Sequence, residues 1–163
     1  DALPGARIVG DSTEAVYAGN LCFEPDAPGG WFNAATGFGT LGYALPAAIG
    51  AALGTPARPV VALAGDGGLQ FTLGELGTAA DEGAGVIVLV WNSRGYREIA
   101  RAMDAAGAPR LGVAPSAPDF AAVARAYGLP ATRIEGVEAL PAALAAAARE
   151  GGPALIDMAV DPD

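Results

Sequence analysis

Two apolar runs constrain the fold of this chain more than any other feature: "PVVALAG" at 59–65 and "GVIVLVWN" at 85–92. Both are rich in β-branched residues and apolar at successive positions, so both faces of each segment need cover. That is how a central strand of a parallel sheet reads. Between them lies "LQFTLGELGTAADEG" at 69–83, with Leu69, Leu73 and Leu76 at helical spacing and Gly83 as a plausible C-cap. Strand, helix, strand of these lengths is a crossover unit of a parallel sheet.

The same alternation runs from end to end. "ARIVG" at 6–10 reads as a strand and "DSTEAVYAGN" as a short helix, with Asp11, Ser12 and Thr13 as N-cap candidates. Residues 21–36 are rich in Pro and Gly and read as loop. "LGYALPAAIGAALG" at 41–54 is small and apolar all round, which predicts a buried helix, with Pro46 early enough to be tolerated. Helices are expected at 95–107, at 119–128 with Asp119 as N-cap, and at 137–150. Strands are expected at 131–135 and 153–160, and loop at 110–118. The prediction is an α/β fold: a three-layer, doubly wound, mostly parallel sheet with helices on both faces, forming one domain over residues 1–163.

Composition excludes several function classes. The net charge is −9, which argues against a nucleic-acid partner, since phosphate backbones need a basic face. There is no histidine, so His-based triads and His-ligated metals are ruled out. The one cysteine, Cys22, permits no internal disulfide; it reads as a buried small side chain in an intracellular, cytoplasmic protein. No apolar run is long enough to span a membrane. The start, "DALPGARIVG", has neither an initiator Met nor the pattern of a signal peptide, and reads as part of something longer. Trp31 and Trp91 read as packing residues, and the acids at 81–82 and 135–138 as solvated surface.

Ligands of open parallel sheets bind at the carboxyl ends of strands. Asp66 closes one expected central strand, and Asn92 and Ser93 close the other. Gly65, Gly67 and Gly68 let the backbone turn sharply and approach a ligand, and the helix expected from Leu69 would aim free N–H groups at the same place. Phosphate beside a carboxylate is repulsive unless a hard cation lies between them. Mg²⁺ is such a cation, taking oxygen ligands from carboxylates, phosphate and water. Asp66 offers a carboxylate, Ser93 a hydroxyl and Gly95 a backbone carbonyl.

Gly-Asp-Gly followed at helix-and-strand distance by an Asn-containing turn resembles the thiamin-diphosphate motif of the acetolactate synthase and 2-oxo acid decarboxylase family. "TGFGTLGYALPAAIGAAL", "GDGGLQFTLGELGTA" and "PDFAAVARAYG" are similar to that family's segments in the same order. "VWN" followed by "GYREI" resembles its guanidino-oxopentanoate decarboxylase and acetolactate-synthase-like branch. The resemblance implies the C-terminal, diphosphate-binding domain of a longer enzyme, with thiamin diphosphate and Mg²⁺ as cofactors. It implies metal ligands at Asp66, Ser93 and Gly95, Ser93 standing where the family has its second Asn. Asn92 matches the structural first Asn. Ser12 and Thr13 match hydroxyls that hold the diphosphate, a role compatible with capping. Gly67 and Gly68 match backbone donors to it, Gly68 standing where the family usually has Ser. Leu41 matches the apolar prop for the bent cofactor, and Gly39, beside Thr40, the acceptor for its amino group. Gly65 and Tyr96 complete the expected cofactor contacts.

The family's activating Glu comes from another domain of a partner subunit, and none of Glu14, Glu24, Glu75 or Glu82 matches it. The domain alone is therefore expected to hold part of the cofactor and to contain no catalytic residue. The whole protein is expected to act on a 2-oxo acid as a dimer or tetramer. Two alternatives remain open: a non-catalytic or regulatory homologue, and a dinucleotide-binding domain. The latter needs Gly-x-Gly-x-x-Gly directly after the first strand. "GDSTEA" there lacks it, and "GFGTLG" at 37–42 matches it only after a segment read as loop.

Overall fold

The computed structural model describes residues 2–160. Its sheet has six strands: β1 (Arg7–Gly10), β2 (Trp31–Asn33), β3 (Val60–Gly65), β4 (Val86–Asn92), β5 (Ala131–Glu135) and β6 (Ala154–Ala159). All pairings are parallel, in the order β2-β1-β3-β4-β6-β5. The helices are α1 (Glu14–Cys22), α2 (Ala44–Gly54), α3 (Asp66–Leu69), α4 (Glu75–Asp81), α5 (Arg97–Ala105), α6 (Phe120–Ala126) and α7 (Leu140–Glu150).

The two constraining runs become β3 and β4, adjacent and in register from Val60↔Val86 to Gly65↔Trp91. Alternate residues serve opposite faces, as the pleat demands. Val60, Ala62, Ala64, Val86, Val88 and Val90 join one core with residues of α2, α4 and α6. Val61, Leu63, Ile87 and Leu89 join a second core with Val16 of α1 and Ala147 of α7. The expected three-layer architecture follows from that division.

Four expectations are corrected. Residues 21–36 are not all loop: Trp31–Asn33 pairs with β1 as an edge strand, followed by a 3-10 turn at Ala34–Thr36. That strand is three residues long, and its stability comes from the β1 ladder and from Asn20, whose side chain accepts from Trp31 Nε1 and Asn33 Nδ2. The helix expected from Leu69 starts earlier, at Asp66, and is broken by a 3-10 turn before α4. α2 is apolar all round but covered on one side only: Leu45, Ala48, Ile49 and Ala52 are buried, whereas Pro46, Gly50 and Leu53 are exposed. Cys22 is exposed at the end of α1, its thiol donating to the Ala18 carbonyl.

Among the described residues no helix is long and apolar enough to cross a membrane.

Candidate functional site

β1, β3 and β4 end side by side, so the segments that follow them, from Asp11, Asp66 and Ser93, meet at one edge of the sheet. The chain leaves β1 outward to β2 but leaves β3 inward to β4, which makes the β1/β3 tip the point where the winding reverses. A cavity there is lined by Ser12, Thr13, Leu41, Gly65, Asp66, Gly67, Gly68, Ser93, Gly95 and Tyr96, ten of the twelve residues expected at the site. Gly39 and Thr40 lie outside that lining and are exposed. Gly39 is tied to the site instead through its carbonyl, which accepts from Ser12 Oγ at 3.2 Å.

Asp66 is the hub. It is 2% exposed, and its two oxygens grip the loop after β4. Oδ2 accepts from Gly95 N at 2.7 Å, and Oδ1 from Ser93 N at 3.4 Å. The Ser93 hydroxyl lies 3.4 Å from the same Oδ1 and 3.3 Å from the Gly95 carbonyl, and having one proton it donates to one of them at a time. Burial pushes the Asp66 carboxyl above its usual range, and the backbone donors from Gly95 and Ser93 partly oppose that shift. A desolvated carboxylate beside a hydroxyl and a carbonyl is a hard, oxygen-only donor set suited to Mg²⁺. Among the described residues no three acidic, His or Cys side chains cluster, so a cation here would have to be completed by ligand and water oxygens. That donor set fits a metal that arrives with a diphosphate.

Gly67 and Gly68 belong to the first turn of α3, where N–H groups have no intrahelical acceptor. Gly67 is required by packing: a Cβ there would fall among the ring atoms of Tyr96. Thr13 occupies the N-cap position of α1 but makes no side-chain cap hydrogen bond, so the capping reading fails for it. Its hydroxyl side instead faces Gly65, where an added Cβ would meet Oγ1 at 3.1 Å.

Three features escaped the sequence reading. Asp11, considered only as a cap for α1, is 1% exposed and serves the segment before α2. It accepts from Ser12 N at 2.8 Å, Gly42 N at 3.2 Å and Ala44 N at 3.2 Å, so it locks the β1 tip to the loop carrying Leu41. Burial raises its carboxyl too, against those backbone donors. Glu14 lines the cavity and links α1 to α5 through Arg97, at 3.8 Å, and Arg101. Asp157 is fully buried in β6 beneath Asn92. A lone acid inside the apolar run "PALIDMAV" was the available signal.

The dinucleotide alternative loses ground on geometry. "GFGTLG" does follow a strand, but an edge strand, and a 3-10 turn intervenes.

A parallel sheet with an aspartate and an Asn-Ser turn on neighbouring strand tips, beneath a glycine-lined helical turn, defines a diphosphate-binding α/β domain. The family described as "Thiamine pyrophosphate enzyme, C-terminal TPP binding domain" matches residues 10–158, and the chain belongs to it. A probable 2-ketoarginine decarboxylase of Pseudomonas aeruginosa is 41% identical over 159 residues, which is 96% of this chain and 28% of that protein. The acetolactate synthase large subunit of Parasynechococcus marenigrum is 35% identical over 138 residues, 83% of this chain and 22% of that protein. The solved structure of a thiamine diphosphate-dependent 4-hydroxybenzoylformate decarboxylase from Rhodococcus jostii superposes with a TM-score of 0.88 at 27% identity. It covers 99% of this chain and 31% of its own. The chain thus spans less than a third of the length of these proteins. The expected family and fold both hold, and the domain is one that binds thiamine pyrophosphate.

Proposed function

We propose that residues 1–163 form the diphosphate- and Mg²⁺-holding domain of a longer decarboxylase or carboligase acting on 2-oxo acids. The observation that carries this reading is the convergence of Asp66, Ser93 and Gly95 on one point beside Gly67 and Gly68. In this reading Asp66, the Ser93 hydroxyl and the Gly95 carbonyl hold the cation. Ser12, Thr13 and the backbone of Gly65, Gly67 and Gly68 orient the diphosphate, and Tyr96 closes over them. Leu41 supports the cofactor's bend, and Gly39 and Thr40 lie toward its pyrimidine end. Bound there, thiamin diphosphate supplies the electron sink for loss of CO₂ from a 2-oxo acid. The chain's own residues bind, orient and keep water from the diphosphate; the proton chemistry at the pyrimidine is left to a Glu outside the chain.

Several large apolar side chains stand exposed, among them Phe38 at 100% and Phe71 at 65%. They suit cover by other domains and by a second subunit, in a cytoplasmic homo-oligomer.

Titration calorimetry on the full-length protein tests the reading. With Mg²⁺ at neutral pH, thiamin diphosphate should bind far more tightly than thiamin, because the metal and diphosphate carry most contacts. Equal binding of the two would overturn it. The pH dependence has a definite sign. Because burial raises the Asp66 carboxyl above its usual range, the metal-free fold holds that proton more firmly than the unfolded chain does, and this contribution to stability, present at low pH, is lost as pH rises through the raised value. Cation binding needs the ionised form, so protonation of Asp66 competes with it. Metal-dependent affinity should therefore weaken on acidification at a pH above the ordinary aspartate range.

A further inference from the structure

We propose that Asp157 is a positioning residue that holds the metal loop in shape through Asn92, an inference that rests on the reading of Asp66, Ser93 and Gly95 as the cation site. Asp157 is 0% exposed, inside a strand buried at every position. Burying a carboxylate in such a strand is costly unless it is paired and hydrogen-bonded. Its Oδ1 accepts from Asn92 Nδ2 at 2.9 Å. Its Oδ2 has no hydrogen-bond partner and lies 3.6 Å from the Arg133 guanidinium on neighbouring β5. Asn92 is 6% exposed, and its carbonyl oxygen accepts from Arg94 N at 3.3 Å.

Arg94 is where the loop needs holding. Among the described residues it alone combines a side chain with a positive φ, at 60°. A non-glycine residue in that region is strained unless its surroundings fix it. Arg94 lies between Ser93, whose hydroxyl faces Asp66 Oδ1, and Gly95, whose N–H donates to Asp66 Oδ2. With its amide fixed by Asp157, Asn92 can offer its carbonyl in only one direction, and that direction stabilises the turn. The chain of contacts runs from Arg133 through Asp157 and Asn92 to Arg94, and so to the cation site. Groups hydrogen-bonded directly to metal ligands commonly tune metal affinity about 10–100-fold, and Asp157 acts one contact further out, through the loop that carries Ser93 and Gly95.

The test measures Mn²⁺ affinity of the full-length protein by electron paramagnetic resonance, in the presence of thiamin diphosphate, alongside thermal stability without metal. Asp157→Val puts a residue suited to an apolar strand in place of the acid. Mn²⁺ binding should weaken about tenfold or more in the folded variant, and Asp157→Asn, which keeps an acceptor for Asn92, should restore it to near wild type. A folded Asp157→Val protein with wild-type Mn²⁺ affinity, altered only in melting temperature, would overturn the proposal. Should that variant not fold, Asn92→Ala cuts the same chain at its next link: weakened Mn²⁺ binding supports the proposal and wild-type binding defeats it. Asp66→Ala separates the two levels of argument. If it leaves Mn²⁺ binding intact, the cation site itself is misplaced; if it abolishes binding while Asp157→Val does not, only the role of Asp157 fails.

Discussion

Asp66→Ala should remove Mg²⁺-dependent binding of thiamin diphosphate, weakening it by about a hundredfold or more, while the protein stays folded. The size follows from what the side chain does. It is the buried acid that accepts from Gly95 N and faces the Ser93 hydroxyl, which itself lies 3.3 Å from the Gly95 carbonyl. Stripping one partner from a buried charge interaction costs about 3–5 kcal/mol, and about 1.4 kcal/mol is tenfold in affinity. The fold should survive because the carboxylate is itself poorly solvated, as its raised pKa records. The variant loses acceptors for Gly95 N and Ser93 N but also relieves that desolvation. Calorimetry with and without Mg²⁺ measures the loss, and far-ultraviolet circular dichroism monitors the fold. Retained Mg²⁺-dependent binding would mean that the cation is held elsewhere.

Gly95→Ala should be almost as damaging to binding, and more damaging to stability. Gly95 has φ +142°, outside the range that L side chains adopt readily, and a Cβ there would lie 2.6 Å from the Val113 carbonyl oxygen. That carbonyl is pinned, since it accepts from Tyr96 N at 2.9 Å. The strain alone is about 1–3 kcal/mol, and the collision adds to it. Relief requires the loop to move, which breaks the 2.7 Å hydrogen bond from Gly95 N to Asp66 and withdraws the Gly95 carbonyl and the Tyr96 ring together. Differential scanning calorimetry should show a lowered melting temperature, and thiamin diphosphate affinity should fall by at least about tenfold. An alanine variant with unchanged melting and affinity would mean that the loop is far more pliable than its packing indicates.

The sheet interior was legible because burial on both faces leaves a strong mark: β3 is an unbroken apolar run, β4 is apolar up to Asn92, and β6 is interrupted only by Asp157. β5, Ala131–Glu135, coincides with the expected strand even though its residues are mostly exposed. Its neighbours made it readable, a capped helix before it and a Gly after it. The helix beginning at Asp119 was equally plain, and Asp119 does accept from Ala122 N at 2.8 Å. What stayed hidden was whatever depends on distant partners. β2 exists because β1 lies beside it; its own three residues carry no strand pattern. Asp11 looks like a local helix cap, yet its contacts at Gly42 and Ala44 lie across the chain. The one-sided cover of α2 could not be read from a composition that is apolar on every side. At the site, the strand-end residues were found because glycines and polar residues interrupt apolar runs there. Residues supplied by helix faces, Glu14 and Arg97, were missed because charged residues on a helix ordinarily mean solvent.

The central claim is that the tips of β3 and β4 jointly hold one cation and the diphosphate of thiamin diphosphate. The most direct measurement is anomalous diffraction from crystals of the full-length protein grown with thiamin diphosphate and Mn²⁺ in place of Mg²⁺. The account predicts a Mn²⁺ peak in contact with the Asp66 carboxylate, the Ser93–Gly95 loop and both phosphates, with Gly67 and Gly68 beside the diphosphate. A Mn²⁺ peak and an ordered diphosphate located away from Asp66 would contradict it.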